Sequence, residues 1–166
     1  HDYEVLARIF RDNFDPGYSL HFSKGPLDIL DHSSANFAFG SKLGIDLTRP
    51  LPGENGSVKI PQDHTNPISA HFYAGMEAPI PFVKGMKNLL AESALPVLLL
   101  SVAKDESFSK HTLLEGLVKT PGLDSFSVVL FYDEGADLND LFSLVWLFGG
   151  NLEPARDITV LETREG

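Results

Sequence analysis

Residues 97–161 decide the fold, and they read VLLLSVAKDESFSKHTLLEGLVKTPGLDSFSVVLFYDEGADLNDLFSLVWLFGGNLEPARDITVL. Three apolar or β-branched runs of strand length are predicted to be strands: Val97–Ala103, Ser127–Tyr132 and Asp157–Leu161. The second run does not alternate between apolar and polar residues, which is typical of a strand that is covered on both faces.

Two amphipathic segments separate these strands. Ser107–Val118 spaces its leucines as a helix does, and residues 120–122, Thr-Pro-Gly, end it. Asn139–Phe148 shows the same apolar spacing. The order β-α-β-α-β predicts parallel strands joined by right-handed crossovers. Residues 82–166 are therefore interpreted as one unit of a three-layer α/β/α fold with a mostly parallel sheet.

Residues 2–22 repeat the pattern of residues 140–160 at a constant offset of 138 positions. The coincident residues include Phe10 with Phe148, Asn13 with Asn151, and Pro16 with Pro154. This agreement favours an internal duplication over two similar α-to-β turns. It predicts a helix over Asp2–Arg11 and a strand at Ser19–Ser23. We also expect the aromatic side chains of these helices, Phe10, Trp146 and Phe148, to be buried.

The length of 166 residues predicts a single α/β domain. Within it, residues 1–24 are a partial first repeat, and residues 25–81 are a long functional loop and connector without a sustained period. Phe82–Ser93 is predicted to be a short helix. The chain opens inside the first helix, so we expect it to be a fragment of a longer protein.

The composition excludes several classes of protein. Thirteen Lys and Arg residues stand against 23 Asp and Glu residues, a formal net charge of −10, which argues against nucleic-acid partners and against docking on anionic lipid. Cysteine is absent, so disulfides, thiolate nucleophiles and Cys-rich zinc sites are impossible. No apolar run is long enough to predict membrane insertion, and we expect a cytoplasmic protein.

The densest group of polar side chains lies in residues 25–34, Gly-Pro-Leu-Asp-Ile-Leu-Asp-His-Ser-Ser. Asp28, Asp31 and His32 there offer a carboxylate beside an imidazole, which suits a general base or a metal ligand. The alternative is that both aspartates stabilise turns through their own backbone and that His32 is an ordinary loop histidine. This alternative is favoured, and both interpretations stay open.

A metal-dependent hydrolase is a weaker hypothesis. It would combine Asp31 and His32 with His64 and His71, which are seven positions apart. That spacing fits neither a helical pair of ligands nor a tight zinc loop. We therefore predict no metal site, with these histidines on the surface.

Several stretches resemble the C-terminal domain of the UbiD family, which are decarboxylases of aromatic and unsaturated acids. The stretches are Gly25–Ser34, Gly40–Asp46 with Thr48, Ser101–Lys104, Val128–Asp140 and Glu153–Asp157. Residues 108–109 depart from the family, which has Gly-His there. The order of the stretches implies a family member whose C-terminal unit is duplicated.

The resemblance implies that this chain is the C-terminal domain of a nonoxidative decarboxylase of quinone biosynthesis. The domain is expected to be inactive on its own. Prenylated FMN, its divalent metal and every catalytic residue would belong to an upstream flavin domain, so this fragment binds no cofactor itself. Its own role would be homo-oligomer formation and closure of the active site. The residues expected to face cofactor or substrate are Pro26, Leu27, Asp28, Asp31 and His32. Lys42 and Asp46 are expected at the interface, and Lys42 is expected to reach a carboxylate, with Asp46 the nearest candidate in sequence. The alternative is a purely associative module without a catalytic role.

Overall fold

The structure is a computed structural model, and it describes residues 2–49, 51, 80–89 and 95–161. His64 and His71 lie outside these residues. The described part contains five helices and five strands, which confirms a mixed α/β fold. In chain order they are α1 (Tyr3–Asn13), α2 (Pro16–Ser19), β1 (Leu20–Pro26), β2 (Phe39–Ile45), β3 (Val83–Leu89), β4 (Val97–Val102), α3 (Lys110–Val118), β5 (Val128–Asp133), α4 (Leu141–Asn151) and α5 (Pro154–Asp157).

The chain divides into two compact units. One unit contains β3, β4, α3 and β5, and the other contains α2, β1, β2, α4 and α5.

The first unit is built on a three-stranded sheet in the order β3-β4-β5. β4 and β5 are parallel, with Val97 opposite Val128, and α3 connects them as the sequence predicts. All six residues of β4 are buried. Leu98 and Leu100 are fully buried and pack with Leu117 of α3. The buried central strand is therefore the core of this unit.

Local signals set the bounds of α3. Ser109 caps the helix by accepting a hydrogen bond from the backbone N–H of Thr112 at 3.3 Å. After the helix, Gly122 adopts a left-handed conformation with φ of 81°, which a glycine permits without strain. The predicted strands at residues 97 and 127 and the helix between them are confirmed to within three residues at each end.

The predicted helix Phe82–Ser93 is wrong where the structure describes it. Residues 83–89 form β3, which pairs antiparallel with β4, with Met86 opposite Leu100. The apolar residues of a short segment fit a helical and an extended interpretation equally well, and pairing with a fully buried strand decides between them.

The predicted third parallel strand, Asp157–Leu161, is also wrong. Residues 154–157 form the helical turn α5, and residues 158–161 join no sheet within the described part of the chain. Because β3 is antiparallel to β4, only one of the two strand pairs in this sheet is parallel. The three-layer, mostly parallel architecture is therefore not found.

The second unit contains an antiparallel hairpin of β1 and β2, in which Leu20 lies opposite Ile45 and Pro26 opposite Phe39. The predicted strand at Ser19–Ser23 corresponds to the start of β1. The prediction of an irregular segment from residue 25 is wrong at β2, because Gly-rich strands give only a weak alternation signal.

The predicted burial of the aromatic side chains is wrong for α4. Trp146 is 74% exposed and Phe148 is 43% exposed, whereas Phe10 is half-buried. Leu144 is the buried residue of α4. Helical periodicity identifies an apolar helix, but it does not identify what covers that helix.

Candidate functional site

The loop between β1 and β2 is held together by its own side chains. The Asp28 Oδ1 atom accepts a hydrogen bond from the backbone N–H of Leu30 at 2.8 Å. The Asp31 Oδ1 atom accepts from the backbone N–H of Ser33 at 2.9 Å and from its hydroxyl at 2.6 Å. The hydroxyl and then the backbone bond hold the pKa of Asp31 below its ordinary value. Both carboxylates therefore stabilise turns, and a role towards a cofactor stays a prediction.

The other predicted loop residues lie at the surface or near it. Pro26 is exposed at the end of β1, and Leu27 is half-buried, with its backbone N–H donating to Ala38 O at 2.9 Å. His32 is exposed, and its charge makes only a minor contribution to the lowered pKa of Asp31, after the bonds from Ser33. The structure thus places these residues on one loop, where Ser33 and not His32 is the hydrogen-bond partner of Asp31.

Gly40 is the point of closest packing in the loop. A Cβ atom at this position would lie 2.6 Å from the Leu27 side chain and 2.9 Å from the Ser34 hydroxyl. The Ser34 hydroxyl is itself held in place, because it donates to Phe39 O at 2.7 Å. Only a glycine allows β2 to begin so close to the loop.

A buried serine joins β2 to the turn α5. Ser41 is 5% exposed, and both its backbone N–H and its hydroxyl donate to the Glu153 Oε1 atom, at 3.1 and 2.6 Å. The backbone N–H of Ala155 donates in turn to the Ser41 hydroxyl oxygen at 2.9 Å. The Ser41 hydroxyl bond is the main reason that the pKa of Glu153 lies below its ordinary value, against the opposing effect of desolvation.

Arg156 also links α5 to the loop between β1 and β2. Its guanidinium binds Asp157 through two hydrogen bonds of 2.7 Å and donates to the backbone oxygen of Ser33 at 3.2 Å and of Asn151 at 3.0 Å. The pKa of Arg156 is raised, chiefly by the bonds to Asp157. A planar guanidinium that is paired with a carboxylate in this way holds its hydrogen-bond partners in a defined geometry. Its positive charge is largely balanced by the carboxylate.

A small cleft opens where the loop, the hairpin and α5 meet, with a volume of about 150 Å³. Its polar lining comes from Lys24, Ser34, Asn36, Glu153 and Arg156. This volume is below the roughly 300–1,000 Å³ of typical small-molecule sites. The arrangement can orient a small polar group, but its described lining contains no imidazole to act on the Ser34 hydroxyl as a base.

The predicted contact between Lys42 and Asp46 is absent. The Asp46 Oδ1 atom accepts instead from the Thr48 backbone N–H at 2.8 Å and from the Thr48 hydroxyl at 2.7 Å, and these two bonds lower the pKa of Asp46. Lys42 lies within β2, opposite Ser23. Four residues of extended chain separate the two Cα atoms by about 13 Å, so the side chains could meet only if both were fully extended towards each other.

Across residues 2–49, 80–89 and 95–161, no group of three or more His, Asp or Glu side chains could hold a metal ion. The hypothesis that includes His64 and His71 falls partly outside these residues and stays untested.

In the first unit, Lys104 Nζ lies 2.7 Å from the Asp133 carboxylate at the end of β5. None of the described helices is long and apolar enough to cross a membrane.

Sequence reasoning did not identify the contact between Ser41 and Glu153. Both residues belong to stretches that the resemblance singled out, but 112 positions separate them. No spacing rule connects residues at that distance, because the pairing depends on how α5 packs on β2.

Comparison with known proteins gives relatives without a described activity. The chain is 26% identical over 166 residues to an uncharacterized protein of Helicobacter pylori strain J99, and 25% identical to one of strain 26695. In both cases the match covers 95% of this chain and 24% of the relative. The chain thus spans about a quarter of the length of these relatives. No family model matches, and no solved structure matches.

Proposed function

We propose that this chain is the C-terminal domain of a UbiD-like nonoxidative decarboxylase of aromatic or polyprenylated acids. The observation that carries the proposal is the pair of contacts from Ser41 to Glu153 and from Arg156 to Ser33. They join the stretch Glu153–Asp157 to two other stretches that resemble the family, Gly25–Ser34 and Gly40–Asp46, although more than a hundred positions separate it from both. Such an arrangement is expected if the three stretches form one structural unit.

The duplication is part of the same proposal, and the helix bounds support it. The helices α1 and α4 have equal lengths at the predicted offset, and so do α2 and α5. Their turns also match, because the backbone N–H of Asp15 donates to the Ser19 hydroxyl at 3.0 Å and that of Glu153 donates to the Asp157 carboxylate at 2.8 Å.

The proposal assigns prenylated FMN to a site in the longer polypeptide and not to this chain alone. The cleft of about 150 Å³ is too small for a flavin, and no metal-ligand cluster lies in the described part of the chain. The proposed contribution of this domain is therefore structural: the loop carrying Pro26 and Leu27 would close one side of a site in the longer polypeptide.

A substitution at Leu27 tests the proposal. Leu27→Ala removes a half-buried side chain, so we expect a nearly unchanged melting temperature for this chain. In the natural polypeptide that contains the chain, supplied with prenylated FMN, the same variant should lower the release of CO₂ from a panel of aromatic and unsaturated acids. Ile29→Ala, at a residue 64% exposed on the same loop, is the matched control. An absence of CO₂ release from the unaltered polypeptide would contradict the proposal, and a large loss of stability in Leu27→Ala would place Leu27 in the core.

A second candidate function is association alone, with homo-oligomers as the product. The observation that favours it is the exposure of α4, whose large apolar side chains are mostly in contact with solvent. Soluble proteins rarely leave such a continuous apolar surface uncovered unless it binds something.

A further inference from the structure

The cleft between the β1–β2 loop and α5 is lined by polar groups that no other contact uses. All of its lining residues belong to the second unit. Lys24 and Asn36 line the cleft, and within the described part of the chain neither side chain has a hydrogen bond or an ion pair. The lysine ammonium group has three N–H donors and the asparagine amide has two. These donors are available to a ligand.

The register of the hairpin brings Lys24 to the side on which α5 lies. Lys24 is opposite Ser41, and side chains directly opposite each other project from the same face of a sheet. Ser41 binds Glu153, the N-cap residue of α5, from that face. Phe39 is two positions before Ser41, so it shares the face, and it is 48% exposed. A cation and an aromatic ring therefore flank the cleft.

Arg156 contributes one further donor to the lining. A guanidinium has five N–H groups, and the bonds to Ser33, Asn151 and Asp157 use four of them. The second N–H of Nη1 is left without a partner among the described residues. The paired bonds to Asp157 hold the guanidinium in place before a ligand binds, which reduces the entropic cost of binding.

The charges around the cleft favour a monovalent anion. Lys24 and Arg156 are positive, whereas Glu153 and Asp157 are negative, so these four side chains balance each other. The Glu153 Oε1 atom already accepts two hydrogen bonds from Ser41. A carboxylate ligand adds one negative charge to this group, but inorganic phosphate adds up to two, in a chain whose formal net charge is −10. The unused donors and the charge balance together indicate a carboxylate.

We propose that this cleft binds the carboxylate group of a short, saturated monocarboxylic acid. Lys24, Asn36 and the remaining N–H of Arg156 donate to the two carboxylate oxygens, and the hydrocarbon chain lies against Phe39. A volume of about 150 Å³ suits about six non-hydrogen atoms, because an engineered cavity of that volume binds benzene. Butyrate has this size. The inference goes beyond the proposed decarboxylase function and does not rest on it.

Titration of the chain with sodium butyrate at neutral pH and constant ionic strength, followed by two-dimensional NMR of the amide groups, tests the proposal. We expect saturable shifts of the Asn36 side-chain amide and of the backbone amides of residues 34–40 and of α5, with a Kd on the order of 1 mM. Butylammonium and inorganic phosphate should bind about tenfold more weakly or worse. The absence of saturable shifts at these amides, or tighter binding of butylammonium or phosphate, overturns the inference.

Two variants and a matched control test the assigned donors. Lys24→Gln should raise the Kd for butyrate about threefold to fivefold, because an exposed ion pair is lost. Asn36→Asp replaces the amide donors by a like charge and should raise the Kd about tenfold or more. Both residues are exposed, so both variants are expected to fold.

Lys42→Gln is the control, because it makes the same change of charge on the same hairpin. Lys42 is opposite Ser23, one position along from the pair of Lys24 with Ser41, so its side chain projects from the other face. The Kd for butyrate should therefore stay nearly unchanged in Lys42→Gln. Equal effects of Lys24→Gln and Lys42→Gln would show only a general effect of charge and would overturn the site. The titration makes no use of catalysis, so its result is separate from that of the decarboxylation assay.

Discussion

At the scale of single residues, Glu153 and Ser41 show how one contact joins distant parts of the chain. Ser41 is buried, and a buried hydroxyl without a partner would cost free energy. It donates to the Glu153 carboxylate and accepts from the backbone of α5. The contact is strongest when Glu153 is ionised, because a carboxylate is a better acceptor than a neutral acid or amide.

The first prediction is a pH dependence of the contribution of Glu153 to stability. Its pKa in the folded protein lies below the ordinary value of 4.5. The carboxylate therefore stabilises the fold fully above that value, and the stabilisation is lost as the pH falls through the lower, folded-state pKa. Glu153→Gln should lower the free energy of unfolding at neutral pH, and the difference from the unaltered protein should shrink below pH 4.5.

Urea unfolding of both proteins over a series of pH values measures this difference. Comparing the two proteins at each pH removes the contribution of other carboxylates that titrate in the same range. A difference that stays constant down to acidic pH would show that the charge of Glu153 does not contribute to the contact.

The second prediction concerns the tight packing at Gly40. Gly40→Ala would place a Cβ atom within 3 Å of both Leu27 and Ser34, so the loop must shift. We expect a loss of about 1–3 kcal/mol in the free energy of unfolding. Gly25→Ala, at a site where nothing lies within 4 Å, serves as the control. An unchanged stability of Gly40→Ala in thermal or urea unfolding would contradict this packing.

At the scale of elements, β4 has the largest influence on the first unit. It is the central strand, paired antiparallel with β3 and parallel with β5. Its leucines meet those of α3, which connects the two parallel strands. The strand therefore joins sheet and helix into one core.

The third prediction follows from this position. Leu98→Ala removes a fully buried side chain and leaves a cavity, so it should lower the free energy of unfolding by about 2–5 kcal/mol. Leu141→Ala, at a residue of α4 that is 45% exposed, should cost less than about 1 kcal/mol. Urea unfolding gives both values, and similar losses in the two variants would show that β4 is not the core of its unit.

At the scale of the whole molecule, the net charge and the exposed apolar surface have opposite effects on self-association. The net charge of −10 makes copies of the chain repel, whereas the exposed apolar side chains of the uncharged helix α4 favour contact. Salt screens repulsion between surface charges but leaves apolar burial intact.

The fourth prediction is that added sodium chloride strengthens dimerisation. Sedimentation equilibrium at increasing salt concentration should show a falling Kd. The variant Phe142→Ala, at a residue of α4 that is 81% exposed, should associate more weakly than the unaltered protein at each salt concentration. A Kd that rises with salt would mean that ion pairs, and not the apolar side chains of α4, hold the copies together.

The sequence by itself determined the elements whose signals are local. The apolar run at residues 97–102, the leucine spacing in residues 107–118 and the Thr-Pro-Gly stop at residues 120–122 each act through neighbouring residues, and the strand and helix were predicted from them. The aspartates of the hairpin loop were likewise recognisable as turn residues, because their partners lie two or three positions away.

Only the tertiary structure decided the strand at residues 83–89, the lack of a third parallel strand, and the pairing of Ser41 with Glu153. Each depends on which segments meet across long stretches of chain, and helical or strand periodicity carries no information about that meeting. The same reason explains why the exposure of Trp146 was not predicted. Its spacing shows that it belongs to an apolar helix face, but whether such a face is covered depends on what packs against it.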